Sequence, residues 1–246
     1  VTFDDGWRGN ISEVLPVMIK YNIPITFFIS SGPVEKEGVF WFSLVRAFRN
    51  FLPSTYRNNV KKLWSVDENT RRAVVEELTR TVSSSLVREA MSVDQVKAIS
   101  KISLVTIGSH TVNHVITTNC TDAQLREEIL HSKLKLEQWS GKKVRFFSYP
   151  NGDYNGREKK ILQEGGMELA TTTKKELISP KTDPYFIPRF CVNDDAFFPE
   201  VVCQMVGVWG RYIAIISKLK SCFQQKTISS PQRLADGEQT MVKKID

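Results

Sequence analysis

The chain opens with Val1-Thr-Phe-Asp-Asp-Gly-Trp7, a short apolar stretch that ends in two adjacent carboxylates and a glycine. The apolar residues favour an extended strand, in which neighbouring side chains point to opposite faces of a sheet. Where the strand ends and the chain turns, Asp4 and Asp5 can both reach one site, and Gly6 permits that turn. The stretch therefore predicts a strand end that carries acidic side chains.

The residues that follow alternate between helical and extended patterns. Residues 10–21 have apolar side chains at helical spacing, and residues 25–29 form an extended apolar run bounded by serine, glycine and proline. This strand–helix–strand opening predicts a parallel α/β fold. Further strands are predicted at 104–107, 144–149, 169–172 and 186–192, and further helices at 122–139 and 156–166. Residues 34–100 are charged and helically patterned, and we interpret them as a helical insertion.

A second polar element, His110-Thr-Val-Asn-His114, follows the apolar run 104–109 and contains two of the three histidines in the chain. An Asp-Asp-Gly alone is most often a turn, and a His-x-x-x-His alone is most often a pair of surface residues on a helix. Here both elements follow β-like runs, and α/β folds place their chemistry at strand ends. One carboxylate and two imidazoles are the ligands of an open catalytic metal site, which leaves the other aspartate available as a base.

Three blocks of the sequence resemble the polysaccharide deacetylases of the NodB-homology type, carbohydrate esterase family 4. They are Thr2–Gly6, His110–His114 in the family's His-(Ser/Thr)-x-x-His pattern, and Phe147–Gly152 in the Tyr-Pro-x-Gly version of its third motif. The resemblance covers residues 1–195 of the sequence. It implies a distorted (β/α) barrel of about seven strands. That barrel is expected to occupy residues 1–200, with the helical insertion at 34–100.

The resemblance also implies roles for the residues of the first two blocks. In the family the first aspartate is the catalytic base and the second binds a metal, which implies these roles for Asp4 and Asp5. The two histidines complete the metal site, so Asp5, His110 and His114 are expected to hold a divalent metal. Zinc is the expected ion for this ligand set, with Co²⁺, Ni²⁺ and Fe²⁺ as alternatives.

The third block forms one wall of the substrate groove in the family. The resemblance therefore implies that Pro150, Asn151, Gly152 and Tyr154 contact the substrate. It also implies that the backbone N–H of Tyr149 stabilises the developing oxyanion.

This sequence departs from the family pattern in two places. Many members have a late histidine that acts as general acid, whereas no histidine follows His131 here. Many members also carry an arginine in the third block that braces the catalytic aspartate, and none lies between Phe146 and Asn155. By analogy with Tyr-Pro-x-Gly relatives, we expect Arg189 to brace Asp4. The general acid is left unassigned.

Together these features predict a metal-dependent deacetylase that releases acetate from N-acetylated or O-acetylated sugars, with a glycan or a lipid-linked sugar as substrate. Two alternatives stay open. One is a deacetylase-like domain that binds glycan without turnover, and the other is a metal amidohydrolase that acts on a non-sugar amide. The block Phe40-Trp-Phe42 leaves a further choice, because it either packs the insertion onto the barrel or stacks on a sugar ring. We favour packing.

Composition adds few constraints. The 246 residues fit one barrel-sized domain, and a hydrophobic content of 41% is ordinary for a globular core. The net charge is +7, of which residues 211–246 contribute +4 (seven Lys/Arg against three Asp/Glu), so nucleic-acid binding is not expected. Four cysteines without paired spacing favour a reducing, cytoplasmic compartment over a secreted or periplasmic one. The chain opens inside a predicted strand, and we interpret it as a fragment. The sequence therefore does not predict a targeting segment or its absence.

The C-terminal region is predicted to have two parts. Residues 201–222 contain an apolar run interrupted by Arg211, which favours a packed or interfacial helix over a membrane span. Residues 223–246 are polar and turn-rich, and we expect them to be disordered. The apolar helix and the basic tail together suggest association with a membrane surface. Nothing in the sequence predicts an oligomeric state.

Overall fold

The structure is a computed structural model that describes residues 1–83, 86–192 and 196–208. The chain divides into two compact units, Val1–Cys191 and Val192–Asp246. The sheet and the predicted site residues all belong to the first unit. In the second unit, the described residues contain one helix, Phe198–Met205.

The centre of the first unit is a five-stranded sheet in which every neighbouring pair is parallel and the strand order is the chain order. The strands are β1 (Thr2–Phe3), β2 (Ile25–Ile29), β3 (Val105–Ser109), β4 (Phe146–Ser148) and β5 (Leu169–Thr171). Because all strands run the same way, their carboxyl ends share one edge. The α/β fold class is confirmed as a half-barrel, with five strands in the described residues where about seven were expected.

The last predicted strand, at 186–192, forms only one bridge in the structure, between Ile187 and Thr171. The Ile187 amide donates to Ala170, and the Ile187 carbonyl accepts from Thr172. The next amide that faces β5 is that of Arg189, and it donates to the Lys174 carbonyl at 3.0 Å instead of continuing the ladder at Thr172. The expectation of a strand at this position is therefore wrong beyond one residue.

Helices cover the sheet and connect its strands. In the first unit they are α1 (Leu15–Lys20), α2 (Ser31–Glu35), α3 (Trp41–Ala47), α4 (Ser54–Arg57), α5 (Glu68–Val82), α6 (Val93–Ser100), α7 (Asp122–Ser140) and α8 (Glu158–Glu164), and the helix of the second unit is α9 (Phe198–Met205). A π-helical turn, Asn10–Val14, leads into α1. Short 3-10 turns lie at Arg49–Phe51, Val60–Trp64, Thr117–Asn119, Pro150–Gly152 and Pro184–Phe186.

Helix α7 shows how the sequence sets these boundaries. Thr121 and Gln124 form a capping box that satisfies free amides of the first turn. Gly141 ends the helix in the left-handed conformation, with φ of 68°. Between these ends, α7 buries Leu125 and Ile129 at helical spacing and packs against β3. The helix therefore forms the layer directly behind the strand that leads into the histidine block.

Two hydrophobic clusters divide the core of the first unit. The main cluster lies between the sheet and helices α6 and α7, and it includes Phe27, Phe147, Val96 and Ile99. The second cluster joins α3 to α5, with Trp41, Leu44, Leu63 and Leu78 among its buried members. Helix α6 thus packs with the barrel, and helices α3–α5 pack with one another. The limits of the insertion, 34–100, remain a prediction.

Among the described residues, no helix combines the length and the apolar character that crossing a membrane requires. The helix predicted at 201–222 overlaps α9 at its start. Residues 209–222 of that prediction lie outside the described residues, as does the whole of the tail at 223–246 that we expected to be disordered.

Gly108 in β3 is required by close packing. A Cβ at this position would lie 2.5 Å from Cδ1 of the buried Phe28 and 3.2 Å from the carbonyl oxygen of Phe146. We expect Gly108→Ala to lower the free energy of unfolding by about 1–3 kcal/mol, as overpacking does elsewhere. Urea denaturation measures this, and Gly9→Ala is the control, because nothing lies within 4 Å of a Cβ there. Equal stability of the two variants would contradict the assigned packing.

Candidate active site

The predicted site residues meet at the carboxyl edge of the sheet. Asp4 and Asp5 follow β1, and His110 follows β3. The amide of His110 donates to the carbonyl oxygen of Ile29 at the end of β2. The amide of Ser30, the next residue, donates to the carbonyl oxygen of Asp5. Parallel pairing therefore brings the ends of three strands together.

The turns that carry these residues are strained. Asp5, Thr111 and His114 have φ of 72°, 66° and 52°, in the left-handed region that non-glycine residues rarely adopt. Each such residue costs about 1–3 kcal/mol and persists only where its surroundings fix it. Glu128 of α7 does this for the histidine loop. Its carboxylate accepts from the Asn113 backbone at 2.8 Å and from the Asn113 side chain at 2.7 Å.

Asp5, His110 and His114 form one compact ligand set. The Oδ1 atom of Asp5 lies 3.1 Å from Nε2 of His114 and 3.4 Å from Nε2 of His110. Tetrahedral zinc with bonds of about 2.0–2.1 Å places neighbouring ligand atoms about 3.3 Å apart, so the spacing fits such an ion. Within residues 1–83, 86–192 and 196–208, this is the only such group of acidic, histidine or cysteine side chains.

Hydrogen bonds around the ligands orient them for a metal. His110 Nδ1 donates to the Ser148 carbonyl at 2.7 Å, which leaves Nε2 free to bind an ion. The indole N–H of Trp7 donates to Oδ2 of Asp5 at 2.8 Å, so Oδ1 is the oxygen that faces both imidazoles. Burial, the largest influence, lowers the pKa of His114 and favours the neutral, ligating form. Nitrogen and oxygen donors in this arrangement suit a divalent metal.

Asp4 is held by Arg189, as expected from the sequence. Arg189 donates to Oδ1 at 2.8 Å and to Oδ2 at 2.7 Å, and the Ser148 hydroxyl donates to Oδ2 at 3.1 Å. Burial alone would raise the pKa of Asp4, but the hydrogen bonds from Arg189 and the nearby positive charge lower it overall. Asp4 is therefore ionised at neutral pH and fixed in orientation.

Tyr149 requires a correction. Its backbone N–H, which we expected to stabilise an oxyanion, donates to the Thr171 carbonyl at 3.0 Å. The pairing of β4 with β5 continues one residue past β4 and engages this amide. Pro150 has no N–H, so the next amide along the chain is that of Asn151. Among the described residues, the Asn151 amide donates to no acceptor.

The other residues of the third block have varied environments. Pro150 is buried, Asn151 is exposed with φ of 60°, and Gly152 has φ of 80°. The ring of Tyr154 stacks on Phe186 with centroids 4.7 Å apart, so part of Tyr154 packs against the domain. Contact of these four residues with substrate remains a prediction.

Several residues near the site were given no role, or a different role, from the sequence. The opening motif alone predicts no role for Trp7, although a half-buried indole N–H generally finds an acceptor and Asp5 is two residues away. Ser148 lies inside the third block, whose pattern predicts no role for it either. Phe42, half-buried, has its ring 4.7 Å from that of His114. Glu128 is a helix residue whose partner lies 15 positions earlier, and no local pattern indicates that contact.

The fold and the site define a class: an α/β half-barrel with a candidate divalent-metal centre at the carboxyl ends of its parallel strands. Residues 1–170 match the polysaccharide deacetylase family, and the chain belongs to this family. The resemblance inferred from the three blocks is thereby confirmed at family level. The Tyr-Pro-x-Gly subgroup remains a prediction.

Individual relatives are distant. A poly-β-1,6-N-acetyl-D-glucosamine N-deacetylase of Staphylococcus aureus is 22% identical over 197 residues, which are 80% of this chain and 55% of that protein. The chain spans about half the length of the curated relatives it matches. The Streptococcus pyogenes deacetylase PplD has a similar fold, with a TM-score of 0.57, 17% identity, and coverage of 83% of this chain and 68% of that one. IcaB from Ammonifex degensii has a TM-score of 0.55, 22% identity, and coverage of 85% and 71%.

The ligand set predicts the effect of removing one imidazole. After zinc loading and desalting, we expect His110→Ala or His114→Ala to lose bound zinc, because two remaining protein ligands hold the ion too weakly. His131→Ala is the matched control, since the His131 side chain is 57% exposed on α7. Atomic absorption measures the metal content. Stoichiometric zinc in either site variant would reject the assigned ligands.

Proposed function

We propose that this protein is a metal-dependent deacetylase that hydrolyses N-acetyl groups on an amino-sugar polymer and releases acetate. The observation that carries the proposal is the ligand set of Asp5, His110 and His114 beside an ionised Asp4 that Arg189 holds in place. Family membership and the N-deacetylase relative support the substrate class. Among candidate substrates, polymers of N-acetylglucosamine come first, and a lipid-linked sugar is the alternative.

The division of labour follows from the two aspartates. Asp5, His110 and His114 would hold a divalent ion, whose positive charge would polarise the acetyl carbonyl and lower the pKa of a water. Asp4, kept ionised by Arg189, removes a proton from the attacking water. In this proposal Asp4 then returns this proton to the leaving nitrogen, because Arg189 holds its carboxylate at the site where the proton was taken up.

A backbone amide is the second source of oxyanion stabilisation in this proposal. Tyr149 is already paired, so we assign this role to the N–H of Asn151. The positive φ of Asn151 turns the chain sharply after the buried Pro150, at the same edge of the sheet as the metal ligands. A donor fixed in position by its backbone needs no rearrangement as charge develops on the carbonyl oxygen.

One observation favours the alternative of a domain that binds glycan without turnover. Both oxygens of Asp4 already accept hydrogen bonds, from Arg189 and Ser148. Oδ2 accepts two of these bonds, but Oδ1 accepts only one and has a second lone pair, so Asp4 keeps the capacity to accept a proton. A non-catalytic binder has no requirement for an ionised, oriented carboxylate beside a metal site, and we therefore favour catalysis.

The test is acetate release from N-acetylated oligosaccharides, lipid-linked sugars and simple amides, with chelator and with zinc added back. We expect chelator-sensitive release from the sugars. Asp4→Asn should keep the zinc and lose about 100-fold or more of the rate, the typical contribution of general acid–base catalysis. Asp94→Asn is the control, because its side chain is 89% exposed. Near-normal turnover in Asp4→Asn would reject Asp4 as the base, and a zinc-loaded protein that releases no acetate would reject the proposal.

Arg189 predicts a pH effect with a definite sign. Without its hydrogen bonds, burial dominates and the pKa of Asp4 rises. Because the base must be ionised, the acidic limb of the kcat/KM profile should move to higher pH in Arg189→Ala. Arg145→Ala is the control, since Arg145 is 54% exposed and pairs with Glu168. An unchanged acidic limb in Arg189→Ala would show that Arg189 does not set the pKa of the base.

A further inference from the structure

The two histidine ligands differ in how their rings are held. The ring of His110 is fixed by its Nδ1 donation to Ser148. Nδ1 of His114 is buried, and no described residue forms a hydrogen bond with it. Histidines that bind metals usually donate their second ring nitrogen to an acceptor, which fixes the ring. His114 also has φ of 52°, so neither its ring nor its backbone holds position without other contacts.

Helix α3 supplies those contacts from its first turn. The indole N–H of Trp41 donates to the carbonyl oxygen of His114 at 2.9 Å. The ring of Phe42, the next residue, lies 4.7 Å from the His114 ring at an interplanar angle of 56°. One residue of α3 thus contacts the backbone of the ligand, and its neighbour contacts the imidazole.

Trp41 is itself held firmly by the second cluster. The guanidinium carbon of Arg71 lies 4.3 Å from the centre of the Trp41 ring, and the ring of Trp64 lies 4.8 Å away. Arg71 is fixed in turn by a buried ion pair with Glu68, in which both side chains are 3% exposed. Ile116, two residues after His114, is buried in the same cluster. The indole is therefore packed against Arg71 of helix α5 and against Trp64 of the preceding turn.

We propose that helix α3 positions the metal ligand His114, with Trp41 fixing its backbone and Phe42 fixing its ring. This inference rests on the metal site of the proposed function. It assigns the second cluster a task beyond its own stability, because that cluster keeps a strained ligand in the geometry that binds the ion. Trp41 and Phe42 are positioning residues that act through His114.

The decisive variant is Trp41→Phe, which keeps an aromatic ring in the cluster and removes the N–H donor. Loss of a hydrogen bond around a metal ligand typically weakens metal affinity about 10–100-fold, and we expect a loss of that size in the Kd for zinc. Trp64→Phe is the matched control. It alters the same cluster next to Trp41, but the Trp64 indole forms no hydrogen bond among the described residues. Zinc affinity is measured by competition with a chromogenic chelator, and the thermal midpoint of each metal-free variant reports stability.

The expected result is weaker zinc binding in Trp41→Phe and wild-type affinity in Trp64→Phe. Unchanged affinity in Trp41→Phe would overturn the inference, even if that variant were less stable. Equal losses in both variants would also overturn it, since packing alone would then explain them.

If Trp41→Phe does not fold, Phe42→Leu decides, because Phe42 is half-buried and its replacement leaves the Trp41 hydrogen bond in place. Zinc affinity equal to wild type in Phe42→Leu would then reject the inference. Wild-type protein that binds no zinc would instead reject the metal site on which the proposed function depends.

Discussion

The site depends on a largely buried negative charge. The Asp5 carboxylate is surrounded by the indole N–H of Trp7 and the imidazoles of His110 and His114. Burial alone would raise the pKa of Asp5, but the two imidazoles beside its carboxylate hold that pKa well below its usual range. A buried charge without such partners would be strongly destabilising. The strained turns at Asp5, Thr111 and His114 are maintained because they bring these partners to the charge.

Arg189 connects the site to both edge strands of the curved sheet. Strands β1 and β5 form the two edges of the sheet. Arg189 donates from Nε to the Thr172 carbonyl beyond β5, and from its Nη atoms to Thr2 in β1 and to Asp4. One guanidinium therefore spans from one edge of the half-barrel to the other. The same planar group connects the two edge strands and orients the carboxylate of Asp4. Lysine has a single amino group and cannot offer the same set of donors.

Local patterns in the sequence were sufficient for some of this arrangement. Apolar runs before Asp4 and His110 indicated strand ends, and parallel pairing brought those ends together. Local sequence patterns do not predict the register in which the strands pair. Whether the Tyr149 amide is free depends on how far β4 pairs with β5, and this is decided by residues more than 20 positions apart. The strand predicted at 186–192 is reduced to one bridge for a related reason, because its pairing with β5 ends where the Arg189 amide donates to the Lys174 carbonyl.

Contacts across the second cluster were also beyond the reach of the sequence. Trp41 lies 73 residues before His114, and the block Phe40-Trp-Phe42 predicted only that aromatic rings pack or stack. Packing is what the structure shows for Phe40 and Trp41, which are buried in the main and second clusters respectively. Compartment and membrane association stay predictions, because they depend on features that the described residues do not contain.

The buried pair of Glu68 and Arg71 is best explained by orientation. Burial, the larger influence, raises the pKa of Glu68 to about 7 although Arg71 lowers it, which shows that burying this ion pair has a desolvation cost. Replacing such pairs by apolar residues is often neutral or stabilising by about 1–4 kcal/mol, so stability alone gives little reason for one here. A guanidinium held by a carboxylate, however, has a fixed plane. The guanidinium carbon lies 4.3 Å from the centre of the Trp41 ring, so the pair packs against the indole whose N–H donates to the His114 carbonyl.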